Sequence, residues 1–397
     1  MFEALTARPP DAIIALMEQC QADPNPNKID LGAGVYKDDA GVVSILRSIK
    51  NAEQLWWKEE TTKTYVGTSG NPEFRRLMLD LILGADNAAI KESRIASAQA
   101  AGGSGALSIG AELIAEANPN ATVWVSTPTW ANHAPLIGTS GLTIESYPYY
   151  NRETLGVDFD DMMAHLKAHA KAGDVVVLHG CCHNPTGADL SFAQWDIIAD
   201  YMADAKLMPF VDLAYFGLGD GIEADTYGLR KIIATNPETV FAASCSKNFA
   251  LYRERTGMVA VICTSPETAK ITQNRIGLIQ RRAISMPPDH GAALVVRVLS
   301  DPELRADWET ELGEMRERMI SLRGQLSKEL RVQGAEDMAD AVKAQKGMFS
   351  TLPLSQAQAE KLRSDHSIYI MNSGRMNIAG ANSENIPRFA KAILDVL

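Results

Sequence analysis

The sequence lacks any apolar run approaching the roughly 20 residues that a membrane-spanning helix needs. It also lacks an excess of basic residues: its formal charge of −11 at pH 7 argues against binding to nucleic acids or to anionic membrane surfaces. Residues 1–5 contain neither the basic region nor the apolar core of a secretion signal. We therefore expect a cytoplasmic protein with no nucleic-acid partner and no membrane partner.

Cysteine is scarce and odd in number, which argues against the disulfide framework of a small secreted domain. The cysteines are Cys20, Cys181, Cys182, Cys245 and Cys263. Their spacing fits no zinc motif, so we expect reduced and mostly buried thiols. His165 and His169 lie four residues apart in a helical pattern. No third ligand follows nearby, and we predict no metal site.

Internal repeats, low-complexity tracts and long linkers are also missing from the sequence. Its apolar share of 46% and charged share of 22% are those of an ordinary globular enzyme. A chain of this length is expected to form about two or three domains. It should bury about three quarters of the surface that the unfolded chain exposes.

Short apolar runs alternate with helical segments through the middle of the chain. These runs are 123–126, 175–178, 210–213, 239–243 and 259–262. Continuous apolar strands separated by helices predict an α/β fold with a mostly parallel sheet between helices. Ligands of such sheets bind at the carboxyl ends of the strands. Four of these runs end at or shortly before Trp130, Asn184, Asp212 and Lys247. Because these residues should meet at the carboxyl ends of the strands, we predict an active site there.

Near the N-terminus, Pro9 and Pro10 are expected to end an arm, and Asp11 to cap the helix that follows. Residues 29–36 have the pattern of a strand, although it contains glycines at 32 and 34. Glycine within a strand often marks a close approach of the backbone to another group. We therefore expect Gly34 to lie near a ligand.

Near the C-terminus, a long helix after residue 302 carries apolar residues at spacings of three and four, which form one continuous stripe. These residues are Leu304, Trp308, Leu312, Met315, Met319, Leu322, Leu326 and Leu330. We expect the helix to connect a large domain with a smaller C-terminal one.

The chemistry of the chain is most evident at Lys247, which directly follows the apolar run 239–243. A lysine at the end of a buried strand is partly desolvated, which favours the neutral amine that attacks carbonyls and forms Schiff bases. Ser244 and Ser246 precede it and Arg255 follows, and these donors suit a phosphate. An ordinary surface lysine on a loop would give the same short motif.

The spacing of Ser244 and Lys247 also matches the S-x-x-K motif of penicillin-binding proteins and β-lactamases. That class needs an S-D-N type element and a K-T-G strand well downstream. The nearest match here is Arg-Thr-Gly at 255–257, directly after the lysine segment. We therefore reject a serine nucleophile.

A glycine-rich turn at residues 101–105 leads into a predicted helix that continues to about residue 116. At a helix N-terminus, Gly103 and Ser104 would present free N–H groups and a partial positive charge, which suit phosphate. The turn matches neither the dinucleotide fingerprint nor the Walker motif. Alone it does not identify the ligand.

Together these segments resemble class I pyridoxal-phosphate aminotransferases, in the branch that acts on aspartate and aromatic amino acids. The resemblance runs from about residue 10 to the C-terminus and includes the N-P-T-G string after Cys182. It implies the type I fold of these transferases, with a mostly parallel seven-stranded sheet in a large domain and a smaller α/β domain. The implied bounds are 1–10 for an N-terminal arm, 11–45 with 312–397 for the small domain, and 46–311 for the large domain.

The resemblance implies three catalytic residues. Lys247 would bind pyridoxal phosphate and move a proton during transamination, Asp212 would pair with the ring nitrogen, and Tyr215 would donate to the phenolic oxygen. Behind these, His179 would hydrogen-bond to Asp212, and His133 would lie behind the residues that touch the cofactor. A helix cap is the structural alternative for Asp212.

The remaining cofactor contacts implied by the resemblance surround the ring and the phosphate. They are Gly103, Ser104, Trp130, Asn184, Ser244, Arg255 and, from a partner subunit, Tyr65. The last of these would make the protein a homodimer with shared active sites. The structural alternatives are a plain Asn-Pro turn at Asn184 and a core tryptophan at Trp130.

Substrate contacts follow from the same resemblance. Arg375 would bind the α-carboxylate of the amino-acid or 2-oxo-acid substrate, beside Gly34, Trp130 and Asn184. Arg281, from the partner subunit, would bind a distal carboxylate. An ordinary surface position is the alternative for both arginines.

Three positions depart from the aspartate-aminotransferase pattern, and each is more apolar: Phe216, Ile284 and Met286. They favour an aromatic substrate, whereas Arg281 also implies dicarboxylates. Leaving Arg281 buried and unpaired against an aromatic ring would cost about 3–5 kcal/mol, so it would have to swing to solvent. We expect transamination of phenylalanine, tyrosine and tryptophan with 2-oxoglutarate, with activity on dicarboxylic amino acids; aspartate aminotransferase is the alternative.

A non-catalytic module is the remaining alternative. Regulators built on an aminotransferase domain carry a basic DNA-binding domain at their N-terminus, and only about ten residues precede the resemblance here. A catalytically inactive relative should have lost Lys247 or Asp212, and both are present. We therefore expect an active enzyme.

Overall fold

The computed structural model describes residues 1–7 and 10–397. Pro9, one of the two prolines with which we expected the N-terminal arm to end, lies outside the described residues. The helices are α1 (Ala12–Ala22), α2 (Arg47–Glu59), α3 (Pro72–Leu83), α4 (Ala88–Lys91), α5 (Gly102–Ala117), α6 (His133–Gly138), α7 (Phe159–His169), α8 (Phe192–Asp204), α9 (Ile222–Asp225), α10 (Tyr227–Thr235), α11 (Pro266–Ile284), α12 (His290–Ser300), α13 (Pro302–Val332), α14 (Glu336–Ala344), α15 (Gln356–His366) and α16 (Ile386–Val396). The strands are β1 (Ile29–Asp30), β2 (Ile95–Ala101), β3 (Thr122–Thr127), β4 (Thr143–Pro148), β5 (Tyr150–Asn151), β6 (Gly156–Val157), β7 (Val175–His179), β8 (Met208–Leu213), β9 (Thr239–Ser244), β10 (Thr256–Ile262), β11 (Phe349–Thr351), β12 (Ile368–Tyr369) and β13 (Arg375–Asn377).

A seven-stranded sheet forms the centre of the fold, in the order β2-β10-β9-β8-β7-β3-β4. The strands from β9 to β4 pair in parallel, whereas β10 is antiparallel to both β9 and β2. The predicted α/β fold with a mostly parallel seven-stranded sheet is therefore confirmed.

Both faces of the sheet are covered, which explains why its central strands are continuously apolar. In β9, Phe241 and Ala243 pack into one hydrophobic cluster, while Val240 and Ala242 pack into another. Full burial of a side chain such as Phe241 contributes about 1.5–3 kcal/mol. Every residue of β9 is buried, so the strand fixes the position of the lysine segment that follows it.

The helix α13 passes behind this lysine segment. Its 31 residues begin at the N-cap Asp301, whose carboxylate accepts the N–H of Leu304. The predicted apolar stripe is buried, as expected. Within it, the Trp308 indole N–H donates to the carbonyl of Asn248 at 2.8 Å, and the indole stacks on Phe249. The helix therefore supports the chain directly after Lys247.

The prediction of one strand over residues 29–36 is wrong, because only β1 is a strand. Beyond it, the Asp30 carboxylate accepts the N–H of Gly32 at 3.1 Å. The Asn377 amide donates to the carbonyl of Ala33 at 2.6 Å. Backbone groups in this segment therefore bond to side chains, and the segment is a loop.

Two further pairs of strands, β1 with β12 and β11 with β13, join segments that lie far apart in the chain. The division into an arm, a small domain and a large domain stays a prediction.

All five cysteines are buried and free, as expected for reduced thiols. Among the described helices, none combines the length and the apolar character required to cross a membrane. The cytoplasmic location also stays a prediction.

Candidate active site

A cavity of about 270 Å³ lies at the carboxyl ends of the central strands. The predicted site residues that line it are Gly34, Gly103, Ser104, Trp130, Asn184, Asp212, Tyr215, Ser244, Lys247, Arg255 and Arg375. Asp212 belongs to β8 and Lys247 follows β9, while Asn184 follows β7. Because adjacent parallel strands end at one edge of a sheet, residues distant in sequence meet there.

Lys247 is half-buried in this cavity, with its Nζ 4.7 Å from the centre of the Tyr215 ring. Burial lowers the pKa of Lys247 to about 8, with a contribution from the charge of Arg255, while Asp212 opposes the shift. Desolvation penalises the ammonium form. The amine is therefore neutral at a pH at which an exposed lysine is charged.

Asp212 is buried beside Lys247, and its Oδ2 lies 3.1 Å from Nε2 of His133. Burial alone would raise the pKa of Asp212, but the His133 hydrogen bond and the charges of His133 and Lys247 hold it below its usual value. The group is therefore a carboxylate at neutral pH, and His133 donates to it.

The predicted hydrogen bond between His179 and Asp212 is wrong, because Thr129 and His133 lie between them. The Thr129 hydroxyl is 2.7 Å from Nδ1 of His133 and 3.0 Å from Nε2 of His179. His179 on β7 pairs with Asp212 on β8 in the sheet, but the ring of His179 contacts the hydroxyl of Thr129 and not the Asp212 carboxylate. Burial, followed by the nearby His183 and His133, lowers the pKa of His179 well below its usual value. His179 is therefore neutral, and His133 supplies the direct hydrogen bond.

An anion cradle lies at the N-terminus of α5, where Gly102 has a φ of 69°. A Cβ at Gly102 would lie 2.5 Å from Nη2 of Arg255, so the guanidinium occupies the space that glycine leaves. A Cβ at Gly103 would lie 3.2 Å from the Cβ of Ser244. Free N–H groups, a guanidinium and hydroxyls therefore meet, which suits a doubly charged phosphate.

Asn184 and Tyr215 are two further polar side chains that line the cavity. The Asn184 amide donates to the hydroxyl of Tyr215 at 3.4 Å. Burial raises the pKa of Tyr215, so its phenol stays protonated and can donate a hydrogen bond. Trp130 contacts His133 edge-on, with 5.3 Å between ring centres.

Arg375 is buried, and its Nη2 donates to the carbonyl of Gly32 at 2.7 Å. Its Nε is buried without a hydrogen-bond partner, and its guanidinium lies 4.6 Å above the ring of Phe349. A buried guanidinium with an unused donor suits a carboxylate ligand.

Two of the residues predicted to contact the cofactor or the substrate lie outside the cavity. Tyr65 is 92% exposed, and Arg281 is exposed near the end of α11. Of the three apolar departures, Phe216 belongs to the hydrophobic core and Ile284 is exposed. Neither of these residues nor Met286 lines the cavity of its own chain, and their effect on an aromatic substrate stays a prediction.

Four lining residues were not predicted from the sequence, and a fifth, Ser246, was named only as a donor suited to a phosphate. The four are Ile13, Leu107, Ala214 and Phe349. Ala214 adjoins a predicted residue, so its position along the chain could have indicated it. Ile13 comes from α1 and Phe349 from β11, and nothing in their local sequence marks them.

The model of the family "Aminotransferase class I and II" matches residues 26–393. The chain is 46% identical over 396 residues to the aromatic-amino-acid aminotransferase of Paracoccus denitrificans, with 100% of both chains covered. It is 41% identical over 397 residues to the aspartate aminotransferase of Escherichia coli (strain K12), again with 100% of both covered. A crystal structure of the aromatic-amino-acid aminotransferase from Burkholderia pseudomallei, covalently bound to pyridoxal phosphate, is similar with a TM-score of 0.97 and 40% identity over 100% of this chain and 99% of that one.

The chain therefore belongs to the class I and II aminotransferase family. It is an aminotransferase, and the resemblance recognised in its sequence is confirmed.

Proposed function

We propose that this aminotransferase uses pyridoxal phosphate to transfer the amino group of aromatic L-amino acids to 2-oxoglutarate. The observation that carries the proposal is the meeting of Lys247, Asp212 and Arg375 with an anion cradle in one cavity. A neutral amine, a buried carboxylate, a carboxylate-binding cation and a phosphate site are the four groups that this reaction needs. The 46% identity to an aromatic-amino-acid aminotransferase supports the aromatic donors.

The donor set of the cavity fits pyridoxal phosphate. Gly103, Ser104, Ser244 and Arg255 would hold the phosphate. Trp130, Asn184, Asp212 and Tyr215 would hold the ring, and Lys247 would bind the cofactor covalently. When bound, the cofactor supplies an electron sink for the electron pair left at the substrate's α-carbon.

The chain's own residues supply proton transfer and charge control. The neutral Nζ of Lys247 would move a proton between the substrate's α-carbon and the C4′ carbon of the cofactor. Asp212 would place a fixed negative charge beside the ring nitrogen. Tyr215, protonated because it is buried, would donate a hydrogen bond to the ring oxygen.

Substrate orientation is assigned to Arg375, whose planar guanidinium can bind an α-carboxylate through two parallel hydrogen bonds. Gly34 would allow the backbone to approach the bound substrate. Ile13, Leu107 and Phe349 contribute apolar surface to the same cavity. This apolar lining supports an aromatic side chain on the substrate.

We also propose that the enzyme is a homodimer with shared active sites. Phe2, Trp57 and Tyr65 are 75%, 81% and 92% exposed, and exposed aromatic side chains favour an interface. Tyr65 would reach the phosphate of the partner's site, and Arg281 the distal carboxylate of a substrate bound there. Dicarboxylic amino acids would then also be donors.

Aspartate aminotransferase is the second candidate function. It is supported by 41% identity to the enzyme of that name and by the presence of Arg281. The two functions differ in the donor that the enzyme prefers, so one experiment separates them.

The test mixes the holoenzyme with phenylalanine and, separately, with aspartate, and follows the cofactor's absorbance during a single half-reaction. The proposal predicts rapid bleaching by phenylalanine, with or without bleaching by aspartate. Bleaching by aspartate alone would establish the second candidate. If neither amino acid bleached the cofactor, both donor assignments would be wrong.

A further inference from the structure

A buried arginine without a carboxylate partner lies behind the site. Arg323, on α13, is 3% exposed. Its Nη1 donates to the carbonyl of Val342 at 3.1 Å and to the hydroxyl of Ser350 at 2.6 Å. Its Nη2 donates to the carbonyls of Lys346, Gly347 and Phe349 at 3.3, 2.9 and 2.6 Å. All five acceptors are uncharged and belong to one segment, residues 342–350.

Burying the Arg323 guanidinium among uncharged acceptors costs free energy. Burying a charged group removes its hydration, and only well-aligned hydrogen bonds compensate for that loss. Burial accordingly lowers the pKa of Arg323 to about 10. The guanidinium therefore acts as a rigid centre to which segment 342–350 is bound.

Segment 342–350 ends at the substrate side of the cavity. Phe349 lines the cavity and lies beneath the guanidinium of Arg375, 4.6 Å away. In the β11–β13 ladder, Phe349 pairs with Asn377 and Thr351 pairs with Arg375 itself. The backbone that Arg323 holds thus continues directly into β11, the strand that pairs with the one carrying the carboxylate-binding arginine.

The same segment is attached to the cofactor side of the cavity. The N–H of Lys346 donates to the carbonyl of Gly187 at 2.7 Å. The Thr351 hydroxyl donates to the carbonyl of Pro185 at 3.0 Å. Both acceptors lie in the loop that carries Asn184. Residues 342–351 therefore connect the two halves of the site.

We propose that Arg323 is a positioning residue for substrate binding: by holding segment 342–350, it fixes Phe349 and, through Phe349 and the β11–β13 pairing, the guanidinium of Arg375. The inference rests on the proposed function, in which Arg375 binds the substrate's carboxylate. Arg323 touches neither substrate nor cofactor.

Lysine cannot replace arginine in this position. The planar guanidinium donates in several fixed directions at once, whereas an ammonium offers a single charged point. Arg323→Lys keeps the charge but leaves several of the carbonyls without a donor. Phe349 and Arg375 would then lose their fixed relative position.

The test titrates holoenzyme with 3-phenylpropionate, which has the carboxylate and the ring of phenylalanine but no amino group. For Arg323→Lys we expect the Kd to rise at least about tenfold, equivalent to about 1.4 kcal/mol. The pH midpoint of the cofactor's absorbance should stay unchanged, because Lys247 and Asp212 are held by the central sheet. A purely structural arginine would lower the melting temperature without changing this Kd.

The matched control is Arg388→Lys, because Arg388 also donates to backbone carbonyls, those of His366 and Asn27. That variant should bind 3-phenylpropionate as the unaltered enzyme does. If Arg323→Lys does not fold, Ser350→Ala removes one of the five acceptors and should still raise the Kd about threefold.

An unchanged Kd in the folded Arg323 variant, or in Ser350→Ala when only that variant folds, would overturn the inference and leave the proposed function intact. If the unaltered holoenzyme itself fails to bind 3-phenylpropionate, the proposed carboxylate site is wrong, and the inference falls with it.

Discussion

At the scale of single residues, opposing electrostatic effects set the protonation of the two central groups. Lys247 loses its charge readily because it is desolvated, and Arg255 reinforces this effect. Asp212 keeps its charge despite burial because His133 donates to it. At and above about pH 8, much of the Lys247 amine is therefore neutral while the Asp212 carboxylate stays ionised in the same cavity, and acid–base catalysis needs this combination.

This balance predicts the pH dependence of cofactor capture. Only the neutral amine attacks a carbonyl, and the neutral fraction rises as pH rises through the pKa. The rate at which apoenzyme captures pyridoxal phosphate, followed by absorbance, should increase with a midpoint near the Lys247 pKa of about 8. A midpoint close to that of an exposed lysine, about 10.4, would contradict the desolvation argument.

Asp212→Asn provides the control for this pH profile. The Asp212 charge raises the pKa of Lys247, so its removal should move the midpoint to lower pH. A shift to higher pH would mean that the sign of the interaction is wrong.

At the scale of elements, strands buried on both faces were predictable because such strands are apolar at nearly every position. The runs that became β3, β7, β8, β9 and β10 were recognised in this way. In contrast, β2 is built largely from alanine, serine and glutamine, and β4 is exposed at several positions. Neither has the apolar run that marked the others. The loop after β1 was also missed, because the Asn377 amide that binds its backbone lies more than 300 positions away in the chain.

The site was predictable where chemistry is concentrated in short segments next to strands or helices, as at Lys247, Asp212 and the α5 turn. It was less predictable where the packing of segments distant in sequence determines which side chains line the cavity. Phe349 reaches the cavity only because β11 pairs with β13, and no local pattern encodes that pairing. The order of His133 and His179 behind Asp212 likewise depends on the placement of Thr129.

The α5 N-terminus gives a prediction at this scale. Gly102→Ala would strain a residue with a φ of 69° and push its Cβ against Arg255. Losing a charge-assisted hydrogen bond to phosphate costs about 1.5–3 kcal/mol, so the Kd for pyridoxal phosphate should rise about 10- to 100-fold. Equilibrium titration of apoenzyme measures this change.

Gly84→Ala is the matched control for Gly102→Ala. Gly84 has a φ of 84°, and a Cβ there would meet no atom within 4 Å. Both variants should lose about 1–3 kcal/mol of stability from backbone strain. Only Gly102→Ala should weaken cofactor binding. Equal cofactor affinities in the two variants would rule out a phosphate site at the N-terminus of α5.

At the scale of the whole molecule, the site of one chain lacks two of the residues predicted for it. Tyr65 and Arg281 are exposed rather than directed into the cavity, and the proposed homodimer would bring them to the partner's site. The proposed aminotransferase site is therefore built on Lys247 and completed by Arg281 of a second copy.

Mixing two variants tests this claim most directly. Lys247→Ala and Arg281→Ala should each lack aspartate transamination when assayed alone. After dissociation and reassociation together, random pairing leaves about a quarter of the sites with both residues intact. We predict recovery of aspartate turnover to about that fraction of the unaltered enzyme. Turnover by Lys247→Ala alone would contradict the role of the lysine, and a mixture without activity would contradict the shared site.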